Sequence, residues 1–154
     1  LAQETNRAKS RTRCSFFASI PAKTYAIQQV WRSVGEGERV MIKHRNENGE
    51  LHRVDGPAIE WADGYRSWWV DGKRHRTDGP AYEGPNGRRA WWVDGKRHRT
   101  DGPAIEYENG TREWWLNGKR HRVDGPAVEW PDGTREWWLN GKFIKGERRA
   151  KEKE

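Results

Sequence analysis

The sequence predicts an all-β chain: a tandem array of β-hairpins forming an elongated antiparallel meander sheet, preceded by a basic arm and a short helix. Three observations predict it. A 23-residue pattern recurs four times. Glycine follows Asp or Asn at fixed offsets within each copy, where turns belong. The chain also carries 11 Trp, which supply burial to a sequence otherwise too polar to form a core.

The repeat is read directly from the residues. His-Arg recurs at His52, His75, His98 and His121, and Asp-Gly-Pro-Ala at Asp55, Asp78, Asp101 and Asp124. Trp-Trp recurs at Trp68, Trp91, Trp114 and Trp137, and each copy closes on Gly-Lys. Such self-similarity is the mark of a repeat architecture. The units run 51–73, 74–96, 97–119 and 120–142, with a degenerate half-unit from Val40 to Gly49. The array is expected over 37–145, with residues 1–36 as arm and helix and 146–154 as a charged tail.

Within a unit, Pro57 to Trp61 reads as a strand, Asp63-Gly64 as a turn, Tyr65 to Val70 as a second strand and Asp71-Gly72 as a second turn. Asp-Gly suits the positive φ of a two-residue type I′ turn. Asp78-Gly79-Pro80 bends the chain into the next unit, since Pro donates no amide hydrogen bond. Two-residue loops set the register: Ile59 opposite Trp68, Trp68 opposite His75, and Trp69 opposite Arg74. Alternation then gives a core face with Ile59, Trp68, Val70 and His75. The other face holds Ala58, Glu60, Trp69, Arg74 and Arg76. Trp68 is thereby the buried member of its pair. Trp69, Trp92, Trp115 and Trp138 form a candidate exposed aromatic ladder, with guanidinium stacked on indole.

Composition and spacing argue against several functions. Hydrophobic residues are 32% and charged residues 34%. The single cysteine, Cys14, offers no disulfide framework. No apolar run approaches the roughly 20 residues that span a bilayer as a helix. Net charge is +7, but +4 of it lies in residues 1–36 and only +1 in residues 51–142. A near-neutral array is a poor phosphate-binding surface. The four histidines recur about 9.6 Å apart, two strand spacings, and one ion cannot bridge them. They read as structural. The repeated Asp reads as a turn residue bonding its own backbone. Glu60, Glu83, Glu106 and Glu129 recur with Arg66, Arg89, Arg112 and Arg135 as cross-strand charge pairs. Four near-identical copies lack the differentiated groups of an active site. The expectation is no enzyme, no cofactor and no metal.

The N-terminal segment differs in kind. Ser19-Ile20-Pro21, then Ile27, Val30, Trp31 and Val34, then Gly35, predict a short amphipathic helix with start and stop signals. It is too short to be stable without a surface to lie on. Before it, Arg7, Lys9, Arg11 and Arg13 lie among Ser, Thr and Ala. That composition suits an organellar transit segment or a basic arm lying on a partner. Compartment is otherwise open, with an intracellular, organellar setting the expectation. The chain starts at Leu1, which leaves processing open. These eight residues, Ile27 to Val34 on the stripe and Arg7 to Arg13 on the arm, are the candidate partner contacts.

At Trp-x-x-Gly-Lys-x-His the units resemble MORN repeats, which also have a 23-residue period and form successive hairpins. Trp69, Gly72, Lys73 and His75 match, as do Trp92, Gly95, Lys96 and His98, and Trp115, Gly118, Lys119 and His121. The array departs from that pattern where the family has Gly after the His. Here Arg76 and Asp78 stand, with Gly79 displaced by one. The family's Tyr-x-Gly before the Trp is absent apart from Tyr65. The resemblance implies a scaffold for protein–protein interaction, an accessory or linker subunit of a larger assembly. Lipid binding is not carried over, because the glycines differ. Nucleic acid or anionic lipid on the basic arm, and glycan on the Trp-rich units, are the alternative partners. Trp-rich cell-wall-binding repeats of choline-binding type are similar in a weaker way.

Overall fold

In a computed structural model, residues 27–32 and 40–148 are described. All regular structure among them is β, and the hairpin array expected from the sequence is present. Eleven strands pair antiparallel in chain order, from Ile27–Arg32 and Val40–Arg45 to Arg135–Leu139 and Lys142–Glu147. Between the ends, each unit contributes two inner strands: Ile59–Trp61 with Arg66–Ser67, Tyr82–Glu83 with Arg89–Ala90, Ile105–Glu106 with Arg112–Glu113, and Val128–Glu129 with Arg135–Leu139. The chain then steps out of this sheet into an outer hairpin. Trp69–Val70 pairs with Lys73–Arg74, and units two and three repeat the pattern.

The two Asp/Asn-Gly turns of a unit differ, and the difference sets the faces. At the outer turn Asp71 and Gly72 both have positive φ, +46° and +70°. That is the type I′ geometry, and it gives the expected partners Trp69 and Arg74. At the inner turn only Gly64 is left-handed, at +91°. The Gly64 N–H donates to the Trp61 carbonyl at 3.0 Å, and Trp61 N–H to the Tyr65 carbonyl at 3.0 Å. This is a three-residue loop, a type I turn closed by a glycine bulge. The Asp63 carboxylate holds it by accepting the Tyr65 N–H at 3.0 Å. Asn86, Asn109 and Asp132 do the same for Arg88, Thr111 and Thr134.

The inner register is therefore Ile59 opposite Ser67 and Glu60 opposite Arg66, one residue away from the expectation. A one-residue slip exchanges the faces. Ile59, Ser67, Trp69 and Arg74 share one face, and the assignment of Trp68 to the core face is overturned. Both tryptophans of each pair are half-buried. The fully enclosed residues are small or aliphatic. Ala58, Ala81, Ala104 and Ala127 have no exposed surface, and Ile105 and Val128 are equally enclosed.

The expected helix fails where it can be seen. Ile27–Arg32 is a strand paired with Val40–Arg45, Ile27 opposite Arg45 and Arg32 opposite Val40. Ile27, Val30 and Trp31 are residue types that favour strands. The free edge of Val40–Arg45 satisfies backbone groups that a helix this short does not stabilise alone. Val34, the Ser19–Pro21 start signal and the arm residues Arg7, Lys9, Arg11 and Arg13 lie outside the described residues. At the other end the last strand runs to Glu147, into the segment expected to be tail.

Candidate functional site

Two ladders run along the array, one on each face. On the Trp68 face an arginine stands over the first tryptophan in three units, Arg76 over Trp68 at 4.1 Å, Arg99 over Trp91 at 3.9 Å and Arg122 over Trp114 at 4.0 Å, and Lys145 stands over Trp137 at 4.2 Å. Each arginine is fixed at its other edge. Arg76 Nε donates to Asp78 at 2.9 Å, Nη1 to the Pro80 carbonyl at 3.2 Å, and Nη1 lies 3.7 Å from Glu83. Arg99 and Arg122 repeat the set with Asp101, Pro103, Glu106 and Asp124, Pro126, Glu129. A Cβ on Gly79 would sit 2.9 Å from the Arg76 Cζ, so a larger residue in Asp-Gly-Pro would push the guanidinium from this seat. The recurring Asp is thus an arginine anchor rather than a turn residue bonding only its own backbone. Arg76 beside Asp78 holds that carboxyl below the usual carboxylate range, as Arg53 does for Asp55 and Arg99 for Asp101.

The histidines brace the outer turns. The Asp94 amide N–H donates to His75 Nδ1 at 3.2 Å, and the Asp94 carboxylate lies 2.9 Å from the same nitrogen. His52 meets Asp71 and His98 meets Asn117 in the same way, and the Asn140 amide donates to His121. Each histidine therefore ties the start of its unit to the outer turn at the end of the same unit. His52 and Asn46 both hold Asp71 below its ordinary pKa. His44, behind Arg53, is pushed down by burial and by that guanidinium. The Thr134 amide and hydroxyl lower Asp132. No group of His, Cys, Asp and Glu among the described residues has the spacing to hold a metal ion.

The second ladder is the one the sequence placed at Trp69, Trp92, Trp115 and Trp138, and the structure brings these together with arginines between them. Arg74 lies 5.1 Å from Trp69 and 5.5 Å from Trp92; Arg97 lies 5.3 Å from Trp92 and 4.8 Å from Trp115; Arg120 lies 5.5 Å from Trp115 and 5.3 Å from Trp138. Phe143 replaces the arginine at the end and meets Trp138 edge-on at 5.3 Å. Each such stack contributes roughly 0.5–1 kcal/mol at an exposed site. Trp69 donates Nε1–H to Ser67 at 2.7 Å, Trp115 to Glu113 at 2.7 Å and Trp138 to Glu136 at 2.9 Å. The fourth position is Ala90, and Trp92 Nε1 is buried without an acceptor. Ala90→Ser reproduces the first unit and restores that bond. It should stabilise the protein by about 1 kcal/mol in urea unfolding. No gain, with Trp92 fluorescence unchanged, would show that the indole does not need the acceptor.

Sequence reasoning missed Tyr65, Tyr82, Arg88 and Tyr107, which extend this face. Arg88 stacks over Tyr82 at 5.6 Å and Tyr107 at 4.8 Å, and Tyr65 meets Tyr82 edge-on at 5.4 Å. They occupy positions where the units differ from one another, and that variability was the available signal. Ile27, Val30 and Trp31 lie in the first strand, away from any ladder position. An open groove of about 420 Å³ lies at the start of the array, lined by Lys43, Ile59, Trp61, Asp63, Tyr65 and Pro85.

The fold and its two ladders define a tandem hairpin-repeat protein. In comparison with known proteins, no family model, no curated protein and no solved structure matches the chain. No helix among the described residues is long and apolar enough to cross a membrane.

Proposed function

We propose that the chain is a non-enzymatic scaffold, an accessory or linker subunit that binds protein partners in a larger assembly. One observation carries this reading: the residues repeated in every unit are consumed in holding the array together. The recurring His, Arg, Asp, Gly and first Trp contact one another within or between units, which leaves them as framework rather than chemistry. Tyr65, Tyr82, Arg88 and Tyr107, at positions where the units differ, lie on the Trp69 face, where the sheet presents them in order. The resemblance to MORN repeats supports the same reading.

The test is recovery of the tagged full chain from its own cells at physiological salt. The expected result is a particle of fixed stoichiometry, several times the 18.1 kDa of the chain. Recovery only as a free monomer, from cells in which it is abundant, would sink the reading.

A further inference from the structure

We infer that the Trp69 face of the first two units docks an acidic segment of a partner protein. The inference rests on the scaffold reading and adds the partner's chemistry. The near-zero net charge of the array conceals a separation between its faces. On the Trp68 face the ladder arginines meet carboxylates: Arg76 with Asp78 and Glu83, Arg99 with Asp101 and Glu106. On the Trp69 face Glu113 and Glu136 pair with Arg120, at 3.6 and 4.0 Å, in the second half of the array. Units one and two hold Ser67 and Ala90 at those places. Among the described residues Arg74, Arg88 and Arg97 have no ion pair.

These three cations are gathered closely. Arg74 and Arg88 share the Tyr82 ring, at 5.4 and 5.6 Å, and Arg74 and Arg97 share Trp92. Arg74 donates an Nη2 proton to the Tyr65 hydroxyl at 3.4 Å, and each of the three residues keeps part of its surface in solvent. A cluster of like charges with carboxylates removed is completed by carboxylates from outside, which match the planar guanidinium fork. Nucleobases fit less well, because the ring faces they would stack on already carry arginine: two on Trp92, two on Tyr82. Spacing narrows the ligand further. Arg74 and Arg97 are equivalent residues about two strand spacings apart, roughly 9.6 Å. A polyproline II segment advances about 9.3 Å per turn of three residues. A peptide in that conformation with an acidic residue at every third position matches the arginine spacing.

The probe is a synthetic peptide of repeated Glu-Pro-Pro triplets, titrated into the full chain, with oligothymidylate of equal charge in parallel. The variants are Ala90→Glu, which places a carboxylate between Arg74 and Arg97, and Arg88→Thr, which removes a cation. Both install residues that later units already carry at the same place, namely Glu113 and Glu136, or Thr111 and Thr134. The double variant should bind the peptide about tenfold more weakly without a lowered melting temperature. The wild-type affinity should fall as salt is raised. If Ala90→Glu proves poorly folded, Arg88→Thr alone should still weaken binding severalfold. The basic N-terminal arm is common to all these proteins, so their difference reports the face. Unchanged peptide affinity in the variants would overturn the inference. So would oligothymidylate that binds more tightly than the peptide and loses as much in the variants, since the face would then serve nucleic acid. Variant-sensitive peptide binding by a chain recovered only as a monomer would defeat the scaffold reading and leave the site standing. Insensitive binding by a chain that does enter an assembly would defeat the site alone.

Discussion

Removing residues 74–96 leaves a folded protein one unit shorter, whereas removing residues 74–84 abolishes cooperative folding. The first deletion joins Lys73 to Arg97, so Arg97 takes the place of Arg74 opposite Trp69 and Ile105 takes the place of Tyr82 opposite Ser67. The contacts inside the units on either side are untouched. The Arg53 amide still donates to the Trp69 carbonyl and the Arg99 amide to the Trp115 carbonyl. Stability of such a stack is close to the sum of unit terms and neighbour interfaces, so one of each is lost. The second deletion removes Arg74, His75, Arg76 and the strand Tyr82–Glu83. It leaves the Trp68 N–H without the Ala81 carbonyl, at present 2.9 Å away, and Arg66 and Ser67 without Glu83 and Tyr82 on one side. Each orphaned buried group costs about 1–3 kcal/mol. A few of them exhaust the roughly 5–15 kcal/mol typical of a whole domain. Far-UV circular dichroism during urea unfolding separates the two. A cooperative transition of equal midpoint for both deletions would refute the unit boundaries.

The period, the hairpins and the outer-turn register were legible because each rests on one local rule repeated four times. The inner turn was not, although its dipeptide is the same. Asp63-Gly64 and Asp71-Gly72 differ in how the aspartate side chain is engaged. Asp63 captures the amide two residues on, whereas Asp71 is held from outside by His52 and Asn46. Two-residue loops at both places would exchange the faces, and the dipeptides alone favour that choice. The correct register was nonetheless written in the charges. Glu60 falls opposite Arg66 only with a three-residue loop, and the same pair recurs as Glu83 with Arg89, Glu106 with Arg112 and Glu129 with Arg135. The apolar spacing of Ile27, Val30 and Trp31 suits a helix face, but an unpaired strand edge nearby outweighs a periodicity this short. The arginine cluster on the Trp69 face was invisible to net charge, because its compensating acids lie across the sheet.

Glu113→Ala costs about 3–5 kcal/mol, the largest loss expected from any single carboxylate in the array. Glu113 is only 7% exposed. Its carboxylate accepts the Trp115 indole N–H at 2.7 Å and the Tyr107 hydroxyl at 3.2 Å, and Arg120 lies 3.6 Å away. Truncation strands three donors at once, one of them charged, and breaking a buried pair from one side is costly for that reason. Glu136 occupies the equivalent place but its side chain is 29% exposed, and Arg120 stands 4.0 Å off. Glu136→Ala should therefore cost well under half as much. Glu113→Gln keeps an oxygen for Trp115 but no charge for Arg120, and falls between the two. Tyr107 supplies a second readout, since its pKa is raised first by burial and then by the Glu113 charge. A phenol raised above its unfolded value stabilises the fold fully below about pH 10, and that contribution is lost as pH rises through the folded value. Removing the carboxylate should bring the Tyr107 ionisation to lower pH, measured by ultraviolet absorbance of the folded protein. Glu113→Ala unfolding within about 1 kcal/mol of the parent in urea, with the tyrosine titration unmoved, would mean that this carboxylate does not organise the ladder.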